Sequence, residues 1–222
     1  MDIALLGGTG NIGKGLALRW AHDTDHTITV GSRHIEKAET KVEEYQRELR
    51  ERGVDPDIRA CENETAARDA RIVVVSIPPE YATSTVESIA PSLSDDQILV
   101  SPAVKMERDA AGFHYVAPNG NSIAEEIATI TPDEIPVVGA FQNLAAGALS
   151  NLDNDLKADV VLTGDDSEAK CEVESVAEEI DGLRALDGGS LANTALIESI
   201  TPLLINLAMN NDGLHDLGVR FQ

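Results

Sequence analysis

The first 20 residues constrain the fold of this chain more than any other segment. An apolar run, residues 2–6, leads into a turn with the spacing Gly8-x-Gly10-x-x-Gly13, and a helical pattern continues over residues 14–20. A strand, a glycine-rich turn and a helix in this order bring backbone N–H groups and a helix N-terminus up to a diphosphate. The motif predicts a dinucleotide site of the Rossmann type. Gly8 is expected to make the tight turn, Gly10 to let the backbone approach the diphosphate, and Gly13 to let helix and strand pack closely.

The residues after the second predicted strand, residues 27–31, indicate which dinucleotide binds. NAD-binding chains usually place Asp or Glu about 20 residues after the glycines, where it holds the ribose hydroxyls. This chain has Ser32 and Arg33 there, and Lys37 one turn into the next helix. A guanidinium binds a 2′-phosphate through two hydrogen bonds and a hydroxyl donates to it, whereas a carboxylate would repel it. The alternative is an ordinary solvated Arg and Lys at a helix start; the cluster favours NADP.

The charge of the chain limits its partners. Its 222 residues include 17 Lys and Arg against 39 Asp and Glu, a net charge of −22. Such a field repels nucleic acid and anionic membranes, so we expect neither as a partner. The acidic residues are spread along the whole chain, and only six of the cations are Lys. This pattern is typical of halophilic proteins from a high-salt cytoplasm, where salt screens self-repulsion; an ordinary acidic cytosolic protein is the alternative.

The remaining composition indicates a cytoplasmic protein without a metal site. Cys61 and Cys171 lie far apart and outside any CxxC motif, so we expect reduced thiols. No basic segment followed by an apolar run is present, and no apolar run is expected to reach membrane-spanning length. The five histidines fall at no metal-ligand spacing.

Short apolar runs alternate with helical patterns, which predicts an α/β fold with a doubly wound parallel sheet of the Rossmann type. We expect an NADP-binding domain over residues 1–150 and a small C-terminal α/β domain over residues 151–222 that closes the substrate cleft. Residues 103–121 are expected to form a loop-rich connection. Residues 191–209 predict one long apolar helix that either covers the sheet or pairs with a second subunit, and we expect a homodimer.

These motifs resemble those of the F420-dependent NADP oxidoreductases of archaea, also described as NADPH-dependent reductases of coenzyme F420. The resemblance covers nearly the whole chain. The N-terminal stretches mark NADP binding in general, and the C-terminal ones are more particular to the family. The stretches that carry it are residues 4–17, 30–33, 179–184, 198–203 and 217–219.

The resemblance implies hydride transfer between NADPH and the deazaflavin coenzyme F420, which serves as co-substrate. The deazaflavin would lie against the segment around residues 203–206. The implied cofactor contacts are Thr9, Gly10, Asn11 and Ile12 at the diphosphate, Ser32, Arg33 and Lys37 at the 2′-phosphate, and Ile77, Tyr81, Val104 and Ala146 along the adenosine and nicotinamide path.

One position departs from the family pattern. Where better-known members have a His near the nicotinamide, this chain has Gln142, and Leu144 follows in the same stretch. Gln142 can donate a hydrogen bond but does not change its charge near neutral pH. Hydride transfer needs chiefly two rings held at reacting distance in a dry cleft, so no acid–base residue is assigned. The departure leaves open whether F420 is still the hydride acceptor.

Two other functions are compatible with the residues. An NADP-dependent reductase of a small imine or carbonyl compound could use the same fold, although such a substrate normally needs a proton donor in the cleft. A non-catalytic NADP(H) sensor would bind the dinucleotide and show no turnover with any acceptor.

Overall fold

A six-stranded parallel sheet forms the centre of the protein. The computed structural model describes residues 1–119 and 121–222. The strands are β1 (Asp2–Leu6), β2 (Thr27–Ser32), β3 (Ile58–Glu62), β4 (Ile72–Val75), β5 (Ile98–Ser101), β6 (Met106–Asp109), β7 (Gly112–Tyr115), β8 (Val137–Gly139), β9 (Ala158–Leu162) and β10 (Leu183–Asp187). The central sheet has the order β3-β2-β1-β4-β5-β8, so the chain moves to one side of β1 and then to the other. This confirms the doubly wound fold.

Helices connect the strands and cover both faces of the sheet. They are α1 (Asn11–Asp23), α2 (Ile35–Glu51), α3 (Asn63–Arg68), α4 (Pro79–Ile89), α5 (Ile123–Ile130), α6 (Ala146–Ser150), α7 (Ser167–Glu178), α8 (Thr194–Glu198) and α9 (Ile200–Asn210). Side chains of β1 alternate between two apolar cores: Ile3 and Leu5 join one, Ala4 and Leu6 the other. Because both faces are buried, the central strands are continuously apolar.

The C-terminal part of the chain adds a small second sheet. Strands β9 and β10 pair in parallel, and a bridge between Gly139 and Thr163 joins this pair to the end of β8. Buried Asp159 on β9 accepts two hydrogen bonds from Arg184 on β10, at 2.9 and 2.7 Å, and its carboxylate also accepts from the N–H of Phe221. The six-stranded sheet thus lies before residue 150 and the small sheet after it, while the division into two domains stays a prediction.

Two expectations about local structure were wrong. Residues 103–121 contain an antiparallel hairpin, β6 and β7, rather than only loop. Its first strand is too charged to show an apolar alternation. The long apolar helix is also interrupted, because α8 ends at Glu198 and α9 begins at Ile200. Pro202 lacks the N–H that would donate to the carbonyl of Glu198, which accounts for the break.

The expectation that no apolar run reaches membrane-spanning length was also wrong. The helical segment Leu191–Asn210 has 20 residues and is apolar enough to cross a bilayer, and 22% of its most apolar window is buried in the protein. Polar side chains in this segment bond to the rest of the chain, however. Asn206 donates to the carbonyl of Phe113 at 2.8 Å and accepts from its N–H at 2.8 Å. The segment is therefore tied to the hairpin.

Candidate functional site

The carboxyl ends of the central strands open into one large cleft. Its volume is about 1020 Å³, against 180 to 350 Å³ for three other surface hollows. Ligand pockets for drug-sized molecules span about 300–1,000 Å³, so this cleft has room for a larger ligand or for two. Residues after β1, β2, β4, β5 and β8 form its floor, and α9 forms the facing wall.

The glycine-rich turn lines the cleft beneath the N-terminus of α1. Thr9, Gly10, Asn11 and Ile12 all line it, as predicted from the resemblance. Gly10 is the N-cap residue of α1, and the first-turn N–H groups have no acceptor within the helix. These amides and the positive end of the helix dipole suit a diphosphate.

Two of the predicted glycines shape the turn without lining the cleft. A Cβ on Gly13 would lie 2.6 Å from the Cα of Gly8 and 2.8 Å from the Oγ of Ser76, so the helix packs directly on the turn. The left-handed backbone of the turn belongs to Gly7, with φ of +70°, rather than to Gly8. The hydroxyl of buried Tyr45 donates to the carbonyl of Gly8 at 3.1 Å and supports the turn from α2.

The three residues predicted to bind the 2′-phosphate lie together at one end of the cleft. We call this end, with Ser32, Arg33 and Lys37, the phosphate end. Ser32 is buried, and its Oγ accepts from the N–H of His34 at 3.2 Å, which leaves the hydroxyl hydrogen free to donate. Arg33 and Lys37 are exposed and line the cleft. Neither forms an ion pair with any residue in 1–119 or 121–222. Two unpaired cations in a chain of net charge −22 form a local anion site.

Tyr81 contacts Arg33 of the phosphate end from outside the cleft. It is absent from the lining, but its ring lies 5.2 Å from the guanidinium carbon of Arg33. This cation–π contact holds the guanidinium in place. Three other predicted contacts, Ile77, Val104 and Ala146, do line the cleft.

The opposite end of the cleft, the inner end, is formed by residues 141–144 after β8. Phe141 has a left-handed backbone, with φ of +69°, and its ring packs edge-on against Trp20 at 5.6 Å. Such a conformation is strained for a bulky residue, so the surrounding packing must impose it. Gln142 and Leu144, which were expected near the nicotinamide, line the cleft.

The hydrogen bonds of Gln142 are made to other parts of the protein. Its side chain is 3% exposed, and its Nε2 donates to the carbonyl of Ser101 at 3.0 Å. The hydroxyl of Thr201 on α9 donates to the backbone carbonyl of Gln142 at 2.7 Å. One of the two Nε2 hydrogens and the backbone carbonyl of Gln142 are therefore bonded within the protein.

Helix α9 presents three different faces. The residues that line the cleft follow the spacing of one helical face: Thr201, Leu204, Ile205, Ala208 and Met209. Of the segment expected to contact the deazaflavin, Leu204 and Ile205 line the cleft, whereas Leu203 is 55% exposed on the outer side and Asn206 binds the hairpin.

A buried carboxyl group supports this wall. Glu198, at the end of α8, is fully buried and accepts from the hydroxyl of Tyr115 at 3.0 Å and from the N–H of Ile123 at 2.9 Å. Burial raises the pKa of Glu198 to about 7, against the opposing effect of these hydrogen bonds. Burial and the neighbouring Glu198 charge also raise the pKa of Tyr115. The pair joins α8, the hairpin and α5.

Sequence reasoning missed several lining residues. Asn63, at the start of α3, is 8% exposed and lines the cleft near the phosphate end of the sheet. Its position just after β3 was a usable signal, because strand ends gather at this edge. Phe141 follows β8 and carried the same signal, whereas Met106 from the hairpin and Thr201 did not follow a central strand. Among the described residues, no group of three His, Cys, Asp or Glu could hold a metal ion.

The sheet order, the turn before α1 and the cations after β2 place this chain in the class of NADP-binding Rossmann proteins. Comparison with known proteins defines the class further. Residues 2–105 match the family model described as NADP oxidoreductase, coenzyme F420-dependent. The chain is 40% identical over 209 residues to the F420-dependent NADP reductase of Methanocaldococcus jannaschii, covering 93% of this chain and 92% of that protein.

A second reductase of this name, from Methanothermobacter marburgensis, is 34% identical over 223 residues, covering 99% of this chain and 97% of that protein. The crystal structure of a protein from Arthrobacter sp. FB24, provisionally assigned as an F420-dependent NADP reductase, superposes with a TM-score of 0.81 over 100% of this chain and 99% of that chain. At 23% identity it shows the shared fold. The chain belongs to the family of coenzyme F420-dependent NADP oxidoreductases.

Proposed function

We propose that this protein transfers a hydride between NADP(H) and the deazaflavin coenzyme F420. The observation that carries the proposal is a single cleft with a cationic phosphate end and a mostly apolar inner end. Arg33 follows β2 and Gln142 follows β8, four strands further along the sheet. At the usual spacing between strands this is about 19 Å, enough for an extended dinucleotide.

The residues present fit both cofactors. Arg33 and Lys37 supply charge for a 2′-phosphate, and the first turn of α1 supplies amides for a diphosphate. The apolar face of α9, with Leu204 and Ile205, offers a flat wall for the deazaflavin. The bound cofactors supply the hydride chemistry.

The protein's own contribution is position and exclusion of water. Gln142 lines the inner end and has no titratable group. Hydride transfer requires chiefly that two rings are held at reacting distance, so it does not require a proton donor at this position. Thr201 ties α9 to this end through its hydrogen bond to the Gln142 carbonyl. A fixed wall on each side would keep two stacked rings at reacting distance.

The test uses purified protein in concentrated KCl with NADPH and oxidised F420, and follows the visible absorbance of the deazaflavin. Rapid bleaching with NADPH and much slower bleaching with NADH is the expected result. No bleaching with intact NADPH binding would contradict the proposal and would favour a sensor or a reductase of small imines or carbonyl compounds.

We propose further that this is a haloarchaeal, cytoplasmic member of the family that binds neither nucleic acid nor membrane. Support comes from the net charge of −22, which suits a salt-screened cytoplasm and repels polyanions. The apolar segment Leu191–Asn210 has its polar groups bonded within the protein, which favours packing against protein over insertion into a bilayer. Unfolding temperatures should rise with KCl up to molar concentrations; a fall over this range would contradict the proposal.

We infer that a second copy of this chain covers the outer side of the C-terminal helices. Leu196, Leu203 and Leu207 are 66%, 55% and 41% exposed there, and together they form an apolar face. The opposite side of α9 lines the cleft, so dimerisation would brace the cleft wall. Light scattering in concentrated KCl should give twice the chain mass for the wild type and the chain mass for Leu203→Glu. A monomeric wild type would refute this.

A further inference from the structure

Among the described residues, two arginines contact an aromatic ring and no carboxylate. Three cations lie over aromatic rings in residues 1–119 and 121–222: Lys14, Arg33 and Arg108. Lys14 also pairs with Glu48 at 3.2 Å, whereas neither arginine forms an ion pair with a described residue. Arg33 belongs to the phosphate end of the cleft. Arg108 has the same arrangement at another place, on the hairpin of β6 and β7.

Asp109, the carboxylate next to Arg108 in the chain, is bonded within the hairpin. Its Oδ1 accepts from the N–H of Ala111 at 2.7 Å and lies 3.0 Å from the Nε2 of His114. These contacts hold the pKa of Asp109 below its usual range, so the carboxylate stays ionised and bonded there. The guanidinium of Arg108 therefore keeps N–H donors for an external anion.

The strand register places Arg108 beside the opening of the cleft. Met106 lines the cleft, and side chains two residues apart on a strand lie on the same face, about 7 Å from each other. Arg108 is directly opposite Phe113, and its guanidinium carbon lies 5.3 Å from the centre of that ring. Glu107 is opposite His114 and lies on the other face. Arg108 itself is exposed and does not line the cleft, so it lies just outside the opening.

The hairpin is fixed to the apolar wall of the cleft. The side chain of Asn206 on α9 both donates to the carbonyl of Phe113 and accepts from its N–H, each at 2.8 Å. Ile205, the preceding residue of α9, lines the cleft. The ring that carries the guanidinium of Arg108 is thus held in register with the wall against which the deazaflavin is expected to lie.

The two arginines belong to different parts of the ligand site. Arg33 follows β2 and is assigned to the 2′-phosphate of NADP, whereas Arg108 lies on the hairpin that follows β5. Besides its deazaflavin ring, coenzyme F420 has a side chain with a phosphodiester and carboxylates. A guanidinium binds both groups through paired, charge-assisted hydrogen bonds. We propose that Arg108 binds the anionic side chain of coenzyme F420 outside the cleft, while the ring lies inside it against α9. This inference rests on the function proposed above.

The charge of the chain gives this contact its importance. With a net charge of −22, the surface as a whole repels an anionic co-substrate. A local guanidinium beside the opening offsets this repulsion where the side chain leaves the cleft. Because Arg108 is exposed, salt screens the contact, and its effect on affinity should decrease as the salt concentration rises.

The test measures dissociation constants by quenching of deazaflavin fluorescence, without NADPH, for oxidised F420 and for the deazaflavin Fo. Fo keeps the ring and the ribityl chain but has no phosphate or carboxylate. Arg108→Gln should weaken F420 binding about fivefold, the effect of losing an exposed ion pair, and leave Fo and NADP⁺ binding unchanged. Arg108→Lys should recover part of the loss, because the charge returns without the paired hydrogen bonds.

Lys105→Gln is the matched control. Lys105 lies three residues before Arg108, forms no ion pair with a described residue and does not line the cleft. Removing its charge should leave the affinities for F420 and Fo unchanged.

Other outcomes overturn the inference. An equal loss for F420 and Fo in Arg108→Gln would assign a structural role in the hairpin to Arg108, and unchanged F420 binding would show that the side chain lies elsewhere. An equal loss of F420 affinity in Lys105→Gln would show a general effect of charge rather than a contact. A wild type that binds neither F420 nor Fo would instead contradict the proposed function.

Discussion

The two ends of the cleft are constructed from the chain in different ways. At the phosphate end, Ser32, Arg33 and Lys37 lie within six residues of one another after a single strand, and the two cations are exposed. At the inner end, Gln142 is buried and bonds to Ser101, 41 residues away, and to Thr201, 59 residues away. A local motif thus supplies the charge of the phosphate end, while long-range packing forms the inner end.

This difference predicts which substitutions change ligand affinity and which change stability. Exposed cations can be removed without disturbing the core, so changes at the phosphate end should alter ligand affinity and leave stability nearly unchanged. Changes beneath the inner end should alter stability first, because its groups are buried and bonded across the fold.

The largest effect is expected from the buried carboxyl group behind the inner wall. The pKa of Glu198 is raised to about 7, whereas an unfolded chain releases this proton near pH 4.5. The folded state therefore binds more protons between these values, and this group lowers the free energy of unfolding as the pH rises from about 4.5 to 7. The loss amounts to as much as about 3 kcal/mol and is complete above pH 7.

Glu198→Gln should remove this part of the pH dependence. Urea unfolding of the wild type and the variant at several pH values between 4.5 and 8, in one salt concentration, measures the difference. Parallel curves for the two proteins would show that Glu198 does not titrate in this range.

The next effect is a loss of NADP affinity and is expected from a substitution at the phosphate end. Arg33→Ala removes a charge-assisted contact to the 2′-phosphate, and NADP affinity should fall by about ten- to a hundredfold. NAD affinity and the unfolding temperature should change little. The control is Arg47→Ala, which removes the same charge from the exposed side of α2 outside the cleft lining. Equal losses for NADP and NAD would contradict the assignment of the phosphate site.

A third effect, of similar size or smaller, is expected at the turn that joins the two ends. A Cβ on Gly13 would lie 2.6 Å from the Cα of Gly8, so Gly13→Ala must shift backbone and should cost about 1–3 kcal/mol of stability. Affinities for NADP and NAD, measured by fluorescence titration, should fall by the same factor, because both ligands share the diphosphate. A loss confined to NADP would show that the turn acts only through the 2′-phosphate site.

The features that the sequence could predict are those that depend on local patterns, and the features that it could not predict depend on long-range packing. The glycine-rich turn, the three residues of the phosphate end and the alternation of strands and helices that indicates a doubly wound sheet are local patterns, and the structure contains them. The hairpin over residues 106–115 and the left-handed Phe141 depend on packing against distant elements, and no local pattern indicates them.

The contacts of individual site residues also could not be predicted from the sequence. Gln142 could be placed near the nicotinamide from the resemblance, yet its hydrogen-bond direction depends on the carbonyl of Ser101 on another strand. Tyr81 was expected to contact the cofactor, and its ring also lies against Arg33, a contact that only the placement of α4 reveals. The assignment of residues to ligand atoms stays a prediction.

If one cleft holds both cofactors, a hydride passes directly between them. Deuterium at C4 of NADPH, prepared in each of the two stereochemical forms, tests this in ordinary water with oxidised F420. One form should transfer its deuterium to F420 and the other should transfer hydrogen, as measured by mass spectrometry of the reduced deazaflavin. Loss of the label to solvent from both forms, or the absence of any transfer, would contradict it.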